Sequence, residues 1–166
     1  LVDVFAASVK DGNGNTLQRR LFCIATSQSG TMTAHEPTMF LDVAAAPEGT
    51  KGPTADTPIP ARSLVETFLY QHCLEEWGRK AAADRIAEIE RVRRHVKISL
   101  DTLINRQQIL VGTLTERRDA DPTLQGIDGQ ISAQENHLDA LNARLEKRLK
   151  ELTLEEQTFV ADIQPE

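Results

Sequence analysis

Histidine and cysteine side chains supply most of the groups in this chain that could act as a base, a nucleophile or a metal ligand. His35 precedes Glu36, and His72 precedes Cys73. A His–Glu pair can serve as a general base with an orienting carboxylate, whereas neighbouring His and Cys can be two of the four ligands of a zinc ion. The second pair lacks a matching pair to close a zinc tetrahedron. We therefore interpret the first pair as a solvated loop pair and the second as part of the core.

The two cysteines, Cys23 and Cys73, are too few for a disulfide framework or a zinc site. One bridge between them is a possible arrangement. We favour two buried free thiols, which behave as small apolar side chains. Free thiols are typical of a reducing compartment, so the expected location is the cytoplasm.

Glycine spacing gives no sign of a phosphate-binding loop. The sequence contains no GxxxxGK[ST], HExxH or GxSxG motif and no GxGxxG that opens a helix. The segment most similar to a glycine-rich phosphate-binding loop is Gly12-Asn13-Gly14. It lies between two strand-like segments and so predicts a hairpin turn. We predict no catalytic residue, no cofactor-binding residue and no metal ligand in this chain.

A basic cluster over residues 91–97 is the most charge-dense feature. Such a cluster can bind nucleic-acid phosphates or an acidic partner. It can also be a solvated helix face paired with Glu88 and Glu90. We favour the solvated face, because 19 Lys and Arg against 25 Asp and Glu leave the chain with a net charge of −6. Arg91, Arg94 and Lys97 remain the candidate interaction residues.

The first part of the chain has the pattern of a small β layer. Apolar and β-branched residues predict strands at 2–9, 20–26 and 37–43. Glycine and asparagine at 11–15 predict the turn between the first two strands. We therefore interpret residues 1–45 as a small antiparallel β subdomain.

A Pro- and Gly-rich linker is predicted at residues 46–62, followed by a helix at 63–78 that packs on the sheet. Ser63 and Glu66 have the spacing of a capping box at the start of this helix. Gly78 either ends the helix or lies inside a longer one.

Residues 79–160 have the pattern of an antiparallel coiled-coil hairpin with its turn at about 119–122. Apolar residues recur there at alternating spacings of three and four, as in a heptad repeat. Asp121 and Pro122 suit the start of the second helix. The stripe positions are Ile86, Ile89, Arg93, Val96, Leu100, Leu103, Gln107, Leu110 and Leu114, then Ile127, Ile131, Gln134, Leu138, Leu141, Leu145, Arg148, Leu152, Glu155 and Phe159.

Composition agrees with this organisation. Of the 166 residues, 40% are hydrophobic, 27% charged and only 4% aromatic, which is typical of an elongated helical protein outside the membrane. The start of the chain has neither a basic region nor a cleavage site of a signal peptide. It also lacks an initiator Met, so we expect a fragment of a longer protein. The predicted fold is α+β: a small antiparallel β layer, a capping helix and a long antiparallel coiled-coil hairpin.

Parts of the helical region resemble the C-terminal region of bacterial SWI/SNF-type (HepA/RapA-like) helicase-related proteins. The resembling segments are Ala87 to Leu100, Leu103 to Gln107, the turn Asp119 to Pro122, and Leu138 to Arg148. The resemblance extends over roughly residues 62–160.

This resemblance implies a non-catalytic accessory module of an ATP-dependent translocase. The motor motifs of that family lie upstream and match no position here, so ATP and Mg²⁺ belong to the parent chain only. The implied partners are the motor lobes of the parent chain, duplex DNA or RNA polymerase, with no membrane and a monomeric state. The alternative is a stand-alone coiled-coil oligomerisation or adaptor module unrelated to helicases.

Overall fold

The computed structural model of the chain describes residues 1–42 and 59–166. Within them lie four strands, a helical segment that runs from Arg62 to Ala120, and a second long helix. These elements confirm the predicted α+β class with a small antiparallel sheet. The strands are β1 (Val2–Asp11), β2 (Thr16–Thr26), β3 (Met32–His35) and β4 (Thr158–Pro165), and the helices are α1 (Arg62–Leu69), α2 (Glu75–Ala120) and α3 (Ile127–Glu156).

All neighbouring strands in the sheet are antiparallel, in the order β3-β2-β1-β4. β1 and β2 form the predicted hairpin. Its turn is held by Asp11, whose Oδ1 accepts the backbone N–H groups of Asn13 and Asn15, both at 2.9 Å. Gly14 has a φ of +84°, which glycine adopts without steric cost.

The strand predicted at residues 37–43 is wrong. Pro37–Asp42 forms a 3-10 turn, and residue 43 lies outside the described residues. Pro37 has no N–H to give to a sheet, and the N–H of Met39 bonds to the carbonyl of Glu36 at 3.1 Å. The third strand, β3, instead comes directly before this turn and pairs with the end of β2.

The predicted extent of the second hairpin helix, to residue 160, is also wrong. α3 ends at Glu156, and β4 begins at Thr158. Phe159 is therefore no member of a helical stripe, since its backbone pairs with Lys10 of β1. A sheet partner so far away in sequence leaves no trace in the local spacing of apolar residues.

The predicted capping box does not form. α1 begins at Arg62, and its N-cap, Ala61, makes no side-chain hydrogen bond. Glu66 accepts a 2.8 Å bond from Arg62 Nε instead, because the two side chains lie one turn apart. Of the predicted linker, residues 46–58 lie outside the described residues.

The helix that begins at α1 does not end at Gly78. It passes through a π-helical turn at Tyr70–Leu74 and continues as α2. A Cβ atom added to Gly78 would lie 2.9 Å from Cγ2 of Val160 in β4. The missing side chain therefore lets α2 and β4 approach closely at this point.

Gly78→Ala is expected to lower the free energy of unfolding by about 1–2 kcal/mol, because the clash with Val160 outweighs the gain in helix propensity. Gly112 is the matched control, since it lies in the same helix with no atom within 4 Å of an added Cβ. Gly112→Ala should stabilise the chain by about 0.5–1 kcal/mol. Urea unfolding of both variants measures this contrast, and equal shifts would contradict the close packing at Gly78.

Backbone contacts divide the chain into two units, which are described separately: the sheet unit (Leu1–Arg85 with Gln157–Glu166) and the helix-pair unit (Ile86–Glu156). In the sheet unit, one face of β1 and β2 packs against α1 and the π-helical turn. The buried members of this core are Phe5, Ala7, Phe22, Ile24, Val65, Leu69 and Leu74.

Candidate functional site

In the helix-pair unit, α2 and α3 contact each other through aliphatic side chains. Residue numbers rise along one helix while they fall along the other, so the helices run in opposite directions. The residues in contact are Leu100, Ile104 and Leu141, joined by Val96, Leu138 and Leu145, and a second cluster of Leu114, Ile127 and Ile131.

Polar contacts fix how far one helix is shifted along the other. Gln107 Nε2 donates to the backbone carbonyl of Gln134 at 3.0 Å and to its Oε1 at 2.7 Å. Nearer the other end of the pair, Arg93 Nη2 lies 2.6 Å from Glu156 Oε2. A slip of one turn would separate both pairs as they stand.

One side of the helix pair carries a groove of about 550 Å³, here called the basic groove. Its apolar part contains Leu103, which stays 44% exposed. Around it lie three cationic side chains, one carboxylate, a histidine and a serine. The lining residues are Val96, Leu100 and Leu103, with His95, Ser99, Arg144, Lys147, Arg148 and Glu151 around them.

The cations of the basic groove differ in how far they are neutralised. Arg148 binds Glu151 at 3.1 Å and Glu155 at 2.6 Å. Hydrogen bonds to Glu155 and then Glu151 raise the pKa of Arg148. Arg144 and Lys147 form no ion pair with any residue that the structure describes, so their charge is free to meet a partner.

Three carboxylates lie on the other side of α3 from Arg144. At about 100° of rotation per residue, Glu135, Asp139 and Glu146 lie roughly 140–180° around the helix from Arg144. All three are exposed. Glu151 and Glu155 lie on the same side as Arg144, where they pair with Arg148, so both sides of α3 carry carboxylates.

The candidate interaction residues predicted from sequence do not line the basic groove. Arg91, Arg94 and Lys97 are exposed on α2. Steps of three residues turn them across about 120° of the helix surface, so they do not converge on one point. Sequence analysis missed Arg144 and Lys147, which join His95 only because the antiparallel pairing brings that stretch of α3 beside it.

The sheet unit has a second concave site, a cavity of about 400 Å³ here called the sheet-unit cavity. It brings together the two pairs that the sequence places far apart. Its lining residues are Arg20, Leu21, Phe22, Cys23, Ala34, His35, Glu36, His72, Cys73, Glu76, Trp77 and Lys80.

Several groups in the sheet-unit cavity already have partners. Arg20 Nη2 lies 2.7 Å from Glu36 Oε1, and its guanidinium lies over the ring of Phe22. Trp77 meets Phe22 edge-on with ring centroids 5.3 Å apart, and Trp77 Nε1 donates to Gln18 Oε1 at 3.2 Å. These contacts give the cavity an aromatic wall with a salt bridge beside it.

The thiols of the sheet-unit cavity are free and poorly ionised. Burial and then the charge of Glu36 raise the pKa of Cys23. Burial also raises the pKa of Cys73, with Arg20 partly opposing it. Protonated thiols are weak nucleophiles and weak metal ligands. Within residues 1–42 and 59–166, no three His, Cys, Asp or Glu side chains are grouped as metal ligands.

Comparison with known proteins gives no relative from which a role could be transferred. None of the helices in the described part of the chain is both long enough and apolar enough to cross a membrane. No family model matches the chain, and neither the curated proteins nor the solved structures contain a match.

Proposed function

We propose that the chain is a non-catalytic accessory module of a SWI/SNF-type ATP-dependent translocase, and that the helix-pair unit is its protein-contact arm. The observation that carries the contact role is the basic groove, in which the exposed side chain of Leu103 lies among the lining residues together with Arg144 and Lys147, which have no ion-pair partner among the described residues. The motor as parent protein rests on the sequence resemblance over residues 62–160. In this proposal ATP and Mg²⁺ act only in the motor lobes.

The composition of the groove supports a protein partner over duplex DNA. The exposed side chain of Leu103 gains free energy when a partner's apolar side chains cover it, whereas DNA presents mainly phosphates and sugars to a surface. A helix with an apolar stripe and acidic flanks complements both parts of the groove. We propose such a helix on the motor lobes as the partner.

We also propose that α2 and α3 form a true coiled coil. Support comes from the contacts between the helices: Leu138, Leu141 and Leu145 on α3 are spaced by three and four residues, and Val96, Leu100 and Ile104 on α2 by four. The Gln107–Gln134 pair is the kind of polar contact that sets the register of a coiled coil.

The direct test is titration of this chain into the purified motor lobes of its parent protein, followed by calorimetry. Arg144→Glu with Lys147→Glu should weaken binding at least tenfold, by about 1.4 kcal/mol or more, because the rim then repels an acidic partner. Arg91→Glu with Arg94→Glu is the matched control, since it reverses two charges on α2 outside the groove. That control should bind like the unchanged chain.

Three results would contradict the proposal. A coding sequence before Leu1 without ATP-binding motor motifs would contradict the assignment of the parent protein. Equal losses in the two double variants would show that general charge, and not the groove, drives binding. A stable dimer in sedimentation that forms through the helix pair would instead support the adaptor alternative.

A further inference from the structure

Asn13 lies at the tip of the β1–β2 hairpin, is exposed, and is the one asparagine of the chain that a glycine follows. An asparagine before glycine loses its side-chain amide more readily than any other, because Gly14 has no Cβ to hinder the approach of its backbone nitrogen to Cγ of Asn13. The other asparagines all precede residues that have a Cβ atom. They are Asn15, Asn105, Asn136 and Asn142.

Hydrogen bonds of the turn oppose this reaction in the folded chain. The backbone N–H of Gly14 donates to the backbone carbonyl of Asp11 at 2.9 Å, and the N–H of Asn13 donates to Asp11 Oδ1, also at 2.9 Å. The Gly14 nitrogen can attack only after it has lost its proton and turned toward the side chain of Asn13. Its hydrogen bond must therefore break first, and Asp11 holds the turn closed.

The neighbouring Asp11-Gly12 pair has the same spacing but a much less reactive group. A carboxylate reacts with a backbone nitrogen far more slowly than a side-chain amide does. The Asp11 side chain is also only 2% exposed and accepts bonds from Asn13 and Asn15, whereas Asn13 is exposed. The turn therefore has one reactive position, Asn13, and the residue that protects it lies two positions earlier.

We propose that Asn13 is a site of deamidation, and that opening of the turn held by Asp11 controls its rate. The deprotonated backbone nitrogen of Gly14 attacks Cγ of Asn13, and the new C–N bond closes a succinimide ring. The side-chain nitrogen leaves as ammonia and takes up the proton that Gly14 lost. Water then opens the ring at either carbonyl, which gives aspartate or isoaspartate at position 13. This site does not depend on the basic groove or on the proposed function.

Deamidation changes both the charge and the length of the turn. The product has a carboxylate two residues from the buried carboxylate of Asp11, and like charges repel more strongly where water is excluded. Isoaspartate also adds one carbon atom to the main chain. Asn13→Asp reproduces the charge alone and should lower the urea midpoint of the sheet unit. Asn13→Ser, which removes the amide without adding charge, should leave the midpoint nearly unchanged.

Mass spectrometry of the tryptic peptide 11–19 measures the rate. The folded chain and the chain unfolded in guanidinium chloride are incubated near neutral pH, and the peptide is followed for the mass increase that replaces an amide by an acid. We expect conversion at Asn13 in both samples, about ten to thirty times slower in the folded chain, because the turn must open first. The other asparagines of the folded chain should remain unchanged over this period.

Two variants separate opening of the turn from unfolding of the whole sheet unit. Asp11→Ser keeps one hydroxyl acceptor but weakens the turn, so it should speed deamidation of the folded chain at least about threefold. Gly78→Ala weakens the contact between α2 and β4, far from the turn in sequence, and should leave the rate unchanged.

Four results would overturn the proposal. They are equal rates in the folded and the unfolded chain, conversion of another asparagine before Asn13, equal acceleration by Asp11→Ser and Gly78→Ala, and an unconverted Asn13 in the folded chain after about fifty half-lives of the unfolded chain.

Discussion

Asp11→Ala is expected to lower the free energy of unfolding by about 3–5 kcal/mol at neutral pH. The Asp11 side chain is 2% exposed and accepts three hydrogen bonds, from the N–H groups of Asn13 and Asn15 and from Asn15 Nδ2. Its carboxylate also lies 3.9 Å from Arg85 Nη2. Removing the carboxylate leaves these three donors without their acceptor at the hairpin turn. Urea unfolding monitored by circular dichroism measures the loss.

The loss should depend on pH. Burial favours the neutral form of Asp11, but hydrogen bonds from Asn15 and Asn13 and the charge of Arg85 outweigh it, so the pKa lies below its ordinary value. Because the pKa is lowered in the folded state, the ionised carboxylate of Asp11 contributes its full stabilisation above the unfolded pKa, near 3.9. This stabilisation is lost as the pH falls through the pKa of the folded state. The difference in the free energy of unfolding between the unchanged chain and Asp11→Ala should therefore become smaller below about pH 4.

Asp11→Asn is the matched control, because it keeps one carbonyl acceptor and the size of the side chain but removes the charge. We expect the free energy of unfolding of Asp11→Asn to lie between those of the unchanged chain and Asp11→Ala. It should also depend less on pH in the acidic range than that of the unchanged chain. A loss below 1 kcal/mol for Asp11→Ala at pH 7 would contradict the role given to this carboxylate in closing the hairpin.

Leu141→Ala is expected to lower the free energy of unfolding of the helix-pair unit by about 2.5–4 kcal/mol. Leu141 is 8% exposed and packs with Leu100 and Ile104. Only two helices contribute to this apolar cluster. Removal of the Leu141 side chain therefore takes away a large part of the apolar contact between α2 and α3. Leu154→Ala is the control on the same helix, since Leu154 is 46% exposed.

The control should change the free energy of unfolding by less than about 0.5 kcal/mol, because no cavity forms at an exposed position. Urea unfolding with hydrogen exchange at amides 127–156 separates effects on α3 from effects on the sheet unit. Similar losses for Leu141→Ala and Leu154→Ala would show that the aliphatic clusters do not stabilise the contact between the helices.

Local pattern predicted the elements that depend on neighbours close in sequence. One local signal is the turn sequence from Asp11 to Asn15, and the structure has the β1–β2 hairpin there. The other is the helical spacing of apolar residues between Ile86 and Leu152, and α2 and α3 lie there. β4 was missed because Thr158–Pro165 gains its partner from β1 at the other end of the described chain. The strand predicted at 37–43 failed because an apolar run can also form a 3-10 turn when Pro37 begins it.

The candidate sites were harder to predict, since each joins residues from separate elements. Arg144 and Lys147 are ordinary charged positions of a helix until the register of α2 against α3 places them beside His95. His35 and His72 come together only in the folded sheet unit, where both line the sheet-unit cavity. A single sequence contains no direct record of such pairings.

The place of β4 in the sheet also affects how the chain can fold during synthesis. β1 meets β2 after a short turn, but Thr158 emerges 147 residues after Asp11. At a ribosomal rate of 5–20 residues per second, that interval is about 7–30 s. Throughout it, the edge of β1 that pairs with β4 has no β4 to pair with, and an unpaired strand edge favours aggregation.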